Sequence, residues 1–183
     1  MLPHYVLKTN ISAPFPDGNE QIIFGMGCFW GAERLFWDLE GVYSTAVGYA
    51  GGELVSPTYK QVCSGTTNHT EVVVINYNPK IIKSDFLLKI FLENHDPTQG
   101  NRQGNDIGSQ YRSSIYTTTK NQFEMCNLKI KEFQSSLTRG GFGKITTELK
   151  ENVVFYYAEE YHQQYLAKNP NGYCGIKGTG IYC

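Results

Sequence analysis

One junction constrains the fold more than any other part of the chain: QIIFGMG runs directly into CFWGAERLFWDLEG, residues 21–41. The apolar run that ends in glycine reads as a buried strand. From Cys28 the period changes, because Ala32, Leu35, Phe36 and Leu39 recur at helical spacing and Gly41 is a suitable helix stop. A strand therefore hands over to a helix at Cys28, Phe29 and Trp30. Three large or reactive side chains at such a turn are either core or exposed for a purpose.

The rest of the chain extends that alternation. VYSTAVGY and EVVVINY read as strands, joined by AGGELVSPTYKQVCSGTTNH, which holds one short helix. Ser84 and Asp85 open a helix over FLLKIFLEN, and RSSIYTT is the next strand. The order β-α-β-β-α-β predicts an α+β fold with a ferredoxin-like split β-α-β core. A long helix from about Lys120 to Leu137 follows, then further strands, a helix over EEYHQQYL that carries His162, and an irregular glycine-rich C-terminal tail. This gives an extended N-terminal arm at 1–20, an α+β domain at 21–168 that carries the catalytic groups, and a mobile tail at 169–183. NHDPTQGNRQGNDIGSQ, between the second long helix and RSSIYTT, is a longer polar connection than packing needs, and such segments are often functional.

With 183 residues, one compact, monomeric unit is expected. A formal net charge of -1 gives no general attraction to nucleic acid or anionic lipid. No stretch reaches the roughly 18 apolar residues of a membrane span, and MLPHYVLKTN lacks the pattern of a signal peptide, so a cytoplasmic location is expected. The five cysteines are an odd number without scaffold spacing, which agrees with a reducing compartment.

The cysteines separate by context. Cys126 belongs to the apolar stripe Phe123, Cys126, Ile130, Phe133 and Leu137 and reads as core, and Cys63 in KQVCSG has no local activating group and also reads as structural. Cys28 differs, because the free N–H groups and positive dipole end of a helix lower a thiol pKa. Cys174 and Cys183 lie in the tail, too far apart for a zinc knuckle and without a nearby histidine. A flexible tail can bring such a thiol to an oxidised Cys28 at an effective concentration on the order of millimolar, which is the logic of a sulfur relay. His4, His69, His95 and His162 form no metal-binding pattern and read as structural; no metal or bound cofactor is expected.

GCFWG at 27–31, GYAGG, PTY, the acid before VVV, NHDPTQGNRQGNDIGSQYRS and NPNGYCG together resemble peptide-methionine sulfoxide reductase type A, from about Phe24 to Cys183. The resemblance implies reduction of methionine sulfoxide, of the S epimer, in proteins and in free form, with thioredoxin or a dithiol as external reductant. It implies Cys28 as the nucleophile, Phe29 and Trp30 as the wall for the S-methyl group, and Glu71 as the acid, kept protonated by desolvation at the start of a hydrophobic strand. Tyr59 and Tyr111 match the hydroxyls that bind the sulfoxide oxygen, and Asp106 the acidic residue lining the site. Cys174 matches the first resolving cysteine and Cys183 the second. The chain ends at Cys183, so an α-carboxylate lies beside that thiol and tends to raise its pKa, and a cysteine placed like Cys63 serves in some relatives. Two other readings remain open at this level. One is a Cys-His hydrolase with Cys28 activated by His95 or His162, and the other is a non-catalytic module that binds apolar peptides on Phe29 and Trp30.

Overall fold

The computed structural model describes residues 3–183. Its centre is a strand buried along its whole length, β3 (Thr70–Tyr77). Successive residues of a strand point to opposite faces, so Val73 and Ile75 enter one core and Val72 and Val74 another. A strand that is apolar on both faces has to be covered on both, and this sets the architecture.

The other elements, in chain order, are β1 (Glu20–Met26), α1 (Phe29–Arg34), β2 (Val42–Ala50), α2 (Tyr59–Cys63), α3 (Ser84–Asn94), β4 (Arg102–Gln103), β5 (Asp106–Ile107), β6 (Ser113–Thr117), α4 (Lys120–Arg139), β7 (Glu148–Glu151), β8 (Phe155–Tyr157) and α5 (Tyr165–Lys168). The fold is thus mixed α and β. Six strands form one sheet in the order β7-β6-β1-β3-β2-β8, and β4 pairs with β5 in a separate two-stranded ribbon. The pairs β1–β3, β1–β6, β2–β3 and β2–β8 are antiparallel, and β6–β7 is parallel.

Helices α3 and α4 cover one face. Leu87, Leu88, Phe91 and Leu92 of α3, with Cys126, Phe133 and Leu137 of α4, pack on Phe24, Val73, Ile75 and Ile115. Spacing of three or four residues puts each set on one side of its helix. The Thr119 hydroxyl caps α4 by accepting the N–H of Gln122, and Ser84 is the first helical residue of α3, after Lys83. The opposite face is closed without a helix, by Ile11 of the N-terminal segment and by Val153, Phe155 and Tyr157. Residues 3–19 hold no helix or strand, yet His4 and Ile11 are buried.

Two elements differ from expectation. Helix α1 ends at Arg34, and the chain continues to Gly41 in tight i→i+3 turns, with Leu35 N–H donating to Ala32, Phe36 to Glu33 and Leu39 to Phe36. The EEYHQQYL segment is not one helix. A 3-10 turn at Glu160–His162 is separated from α5 by Gln164, which has a left-handed backbone (φ +48°) held by buried hydrogen bonds.

Candidate active site

Local geometry first fixes Cys28. Gly27 turns the chain at φ +88°, a conformation that favours glycine, and a Cβ there would lie 2.7 Å from Gln103 Cβ. Cys28 then stands at the N-cap of α1, half-buried, with Phe29 buried and Trp30 half-buried behind it.

Glu71 reaches this point from β3. Its Oε2 accepts the Phe29 main-chain N–H at 3.1 Å, and the side chain is only 2% exposed. Burial and, to a smaller extent, the nearby Asp106 raise its pKa to about 8, against the stabilising Phe29 N–H. The acid is therefore protonated near neutrality. Cys28 departs from expectation. Its pKa is pushed up to about 12, first by burial and then by Glu71, while the Trp30 and Gly31 N–H groups pull it down without prevailing. The helix has only six residues, so its dipole is small beside the desolvation of a half-buried sulfur.

The hydroxyls converge from elsewhere. Tyr59 opens α2, and Tyr111 closes a 3-10 turn at Ser109–Tyr111. Both phenols are raised by burial and feel the Glu71 charge, and Tyr111 also feels Asp106 and Cys28. Asp106, on the β4–β5 ribbon, is half-buried and its pKa is raised by burial. Cys28, Phe29, Trp30, Tyr59, Glu71, Asp106 and Tyr111 thus come together from four separate parts of the chain.

The two tail cysteines part company. Cys174 lies over α1, where a Cβ added at Gly31 would sit 3.1 Å from its Sγ, and Arg34 donates from Nη2 to the same sulfur at 3.1 Å. The neighbouring Tyr173 hydroxyl donates to the Asp106 carboxylate, 3.2 and 3.3 Å from its two oxygens, so the tail packs against the Asp106 side of the site. Cys183 is elsewhere. It borders a groove of about 710 Å³, beside Leu39, Ile81, Phe86 and Lys129, and its N–H donates to Glu93 of α3 at 2.7 Å. Its thiol pKa is raised, but burial and Glu93 are the main causes, in place of the expected terminal carboxylate. Cys63 is exposed, not core, and lies beside the Tyr59 hydroxyl.

Several contributors carried no local signal. The Trp30 indole N–H donates to His162 Nδ1 at 3.0 Å, and the indole stacks on Tyr165 with ring centroids 3.9 Å apart and planes 15° apart. Glu159 links two elements by accepting the Tyr49 hydroxyl and the Tyr59 N–H, each at 2.8 Å. His95 is bonded at both ring nitrogens, to Phe91 O and Ser113 Oγ, while His162 accepts the Trp30 indole at Nδ1 and has its Nε2 buried without a partner, and neither ring is hydrogen-bonded to Cys28. Neither histidine is arranged as a base for Cys28, which removes the support for a Cys-His hydrolase.

Known proteins are similar in both sequence and fold. Residues 20–180 match the family model described as peptide methionine sulfoxide reductase. The mitochondrial peptide methionine sulfoxide reductase of Rattus norvegicus is 57% identical over 180 residues, covering 98% of this chain and 77% of that protein. The structure of methionine sulfoxide reductase A of Corynebacterium diphtheriae superimposes with a TM-score of 0.89 at 46% identity, covering 99% and 88% of the two chains. The reduced form of Mxr1 from Saccharomyces cerevisiae does so with a TM-score of 0.81 at 36% identity, covering 92% and 93%. The chain belongs to the peptide methionine sulfoxide reductase family.

Proposed function

We propose that the chain reduces methionine sulfoxide at Cys28, and the observation that carries this reading is the Glu71 carboxyl hydrogen-bonded to the first N–H of the helix that Cys28 caps. A neutral thiol beside a neutral acid suits the reaction. The Cys28 sulfur attacks the sulfoxide sulfur to form an S–S bond, while Glu71 gives its proton to the oxygen and takes the thiol proton in exchange. The hydroxyl then passes from the methionine sulfur to the Cys28 sulfur as the S–S bond breaks, leaving its electron pair on methionine. The products are methionine and a Cys28 sulfenic acid, with no net proton taken from solvent. Phe29 and Trp30 receive the S-methyl group by dry contact, at about 0.8 kcal/mol per buried carbon. Tyr59 and Tyr111 hold the oxygen, and Asp106 completes the polar side.

Cys174 then attacks the sulfenic sulfur, forming a disulfide and releasing water. Cys183 takes over that disulfide and passes it to an external dithiol protein of the thioredoxin class. Because Cys183 rests on α3, this step needs residues 175–183 to leave their bed. Support for thioredoxin comes from Mxr1, which has also been solved in complex with Trx2. The order β6-β1-β3-β2 of the four central strands supports a ferredoxin-like split β-α-β core. The organisation into arm, catalytic domain and mobile tail, a monomeric state and a reducing, cytoplasmic location belong to the same reading.

The test is thiol-dependent reduction of each sulfoxide epimer in turn. Turnover of the S epimer that Cys28→Ser abolishes is expected, with Cys174→Ser releasing about one equivalent of methionine before stalling on thioredoxin. Turnover retained by Cys28→Ser overturns the assignment.

A further inference from the structure

One buried carboxyl has no part in this chemistry. Glu33 follows Trp30 by three residues on α1 and is fully buried. Its Oε1 accepts the Thr45 hydroxyl at 2.9 Å and the Gln164 side-chain amide at 2.7 Å, and its Oε2 accepts the Gln164 main-chain N–H at 2.8 Å. Burying a carboxyl is costly unless donors surround it, so a group this well satisfied is fixed in place. It is also what holds Gln164 in a left-handed conformation that a non-glycine residue adopts at a cost.

The consequence lies two residues before Gln164 and one after it. His162 accepts the Trp30 indole N–H, and Tyr165 stacks on the Trp30 ring. A helical backbone through residue 164 would turn both rings away. The His162 ring also packs 5.1 Å from Phe29 and 4.5 Å from Tyr59, centroid to centroid. We propose that Glu33 is a positioning residue for substrate binding, which sets the angle of Trp30 by locking the turn at Gln164 that carries His162 and Tyr165. The proposal rests on the reading of Phe29 and Trp30 as the methyl-binding wall. Cys28 and Glu71 are held by contacts that do not involve Gln164, so Glu33 acts on binding and not on the reaction step.

Steady-state kinetics on free methionine sulfoxide test this, with Trp30 emission recorded in a Trp37→Phe background and folding followed by thermal melts. Glu33→Gln places an amide donor where a second acceptor was, so KM is expected to rise about tenfold with kcat nearly unchanged, and Trp30 emission is expected to shift. Gln164→Gly accepts the left-handed backbone and keeps the main-chain bond to Glu33, so a rise of about threefold is expected. A purely structural role for Glu33 would lower the melting temperature alone. Folded Glu33→Gln with wild-type KM and emission overturns the proposal; if that variant does not fold, the same result for Gln164→Gly does. Trp30→Leu separates the two readings. If it raises KM while the Glu33 and Gln164 variants do not, only the positioning role falls; if it leaves KM unchanged, the wall itself is refuted.

Discussion

Glu71 and Glu33 are both buried carboxyls packed beside α1, yet their surroundings fit them for opposite work. Glu71 accepts one hydrogen bond, from Phe29 N–H, and its pKa stands at about 8. Glu33 accepts three, which oppose the burial that raises its pKa to about 7. Each donor to a carboxylate favours the charged form and opposes desolvation. A carboxyl left with a free lone pair in a half-open site can exchange a proton with a ligand; one enclosed by donors can only hold its neighbours.

The comparison breaks most visibly at Glu71. Glu71→Gln keeps the shape but removes the proton, and single-turnover methionine release is expected to slow by roughly 10²–10⁴-fold, the usual range for a general acid. A loss of less than about tenfold would assign the proton to another group.

The pH dependence is the next test. The acid works only when protonated, so the release step is expected to fall as pH rises through about 8, and a wild-type plateau to pH 9 would contradict the role. Stability moves in the same direction. Both pKa values lie above the ordinary 4.5, so the folded state keeps protons that the unfolded chain has lost. Their contribution is full below pH 4.5 and is lost as pH rises through about 7 and then 8. Buried His4, His95 and His162, each held down to about 4, oppose this slope below pH 6.5, so denaturant titrations from pH 7 to 9 should show it, and it should flatten in Glu71→Gln.

The smallest effect belongs to the brace. Thr45→Val removes one donor to Glu33 and also the partner of His4 Nε2, at 2.9 Å. A loss of about 1–3 kcal/mol in unfolding free energy is expected, with the release rate within about twofold. A large loss of rate without loss of stability would mean that this side of α1 takes part in the chemistry.

Much of the site was legible because its residues stand in runs. Cys28, Phe29 and Trp30 are adjacent, Glu71 begins an apolar strand, and Asp106 and Tyr111 share one polar connection. The pKa of Cys28 was not legible, because it depends on how deeply the sulfur lies and on an acid 43 residues away in the chain. The bond of His162 to Trp30 and the role of Glu33 were missed for a related reason. A histidine in EEYHQQYL and a glutamate in GAER look like ordinary helix-surface residues until residues about 130 positions apart are packed together.

By itself the sequence determined the order and type of the central elements, the seat of the reactive thiol at a strand-to-helix seam, and the family. Those follow from apolar periodicity and short motifs, which act between residues a few positions apart. Only the tertiary structure decided that the thiol is neutral, that the first helix is short, that Cys174 waits over α1 while Cys183 rests on α3, and that a second buried carboxyl braces the tryptophan. Each of these is a balance of desolvation and hydrogen bonding set by neighbours brought from far along the chain, and local pattern does not encode which neighbours arrive.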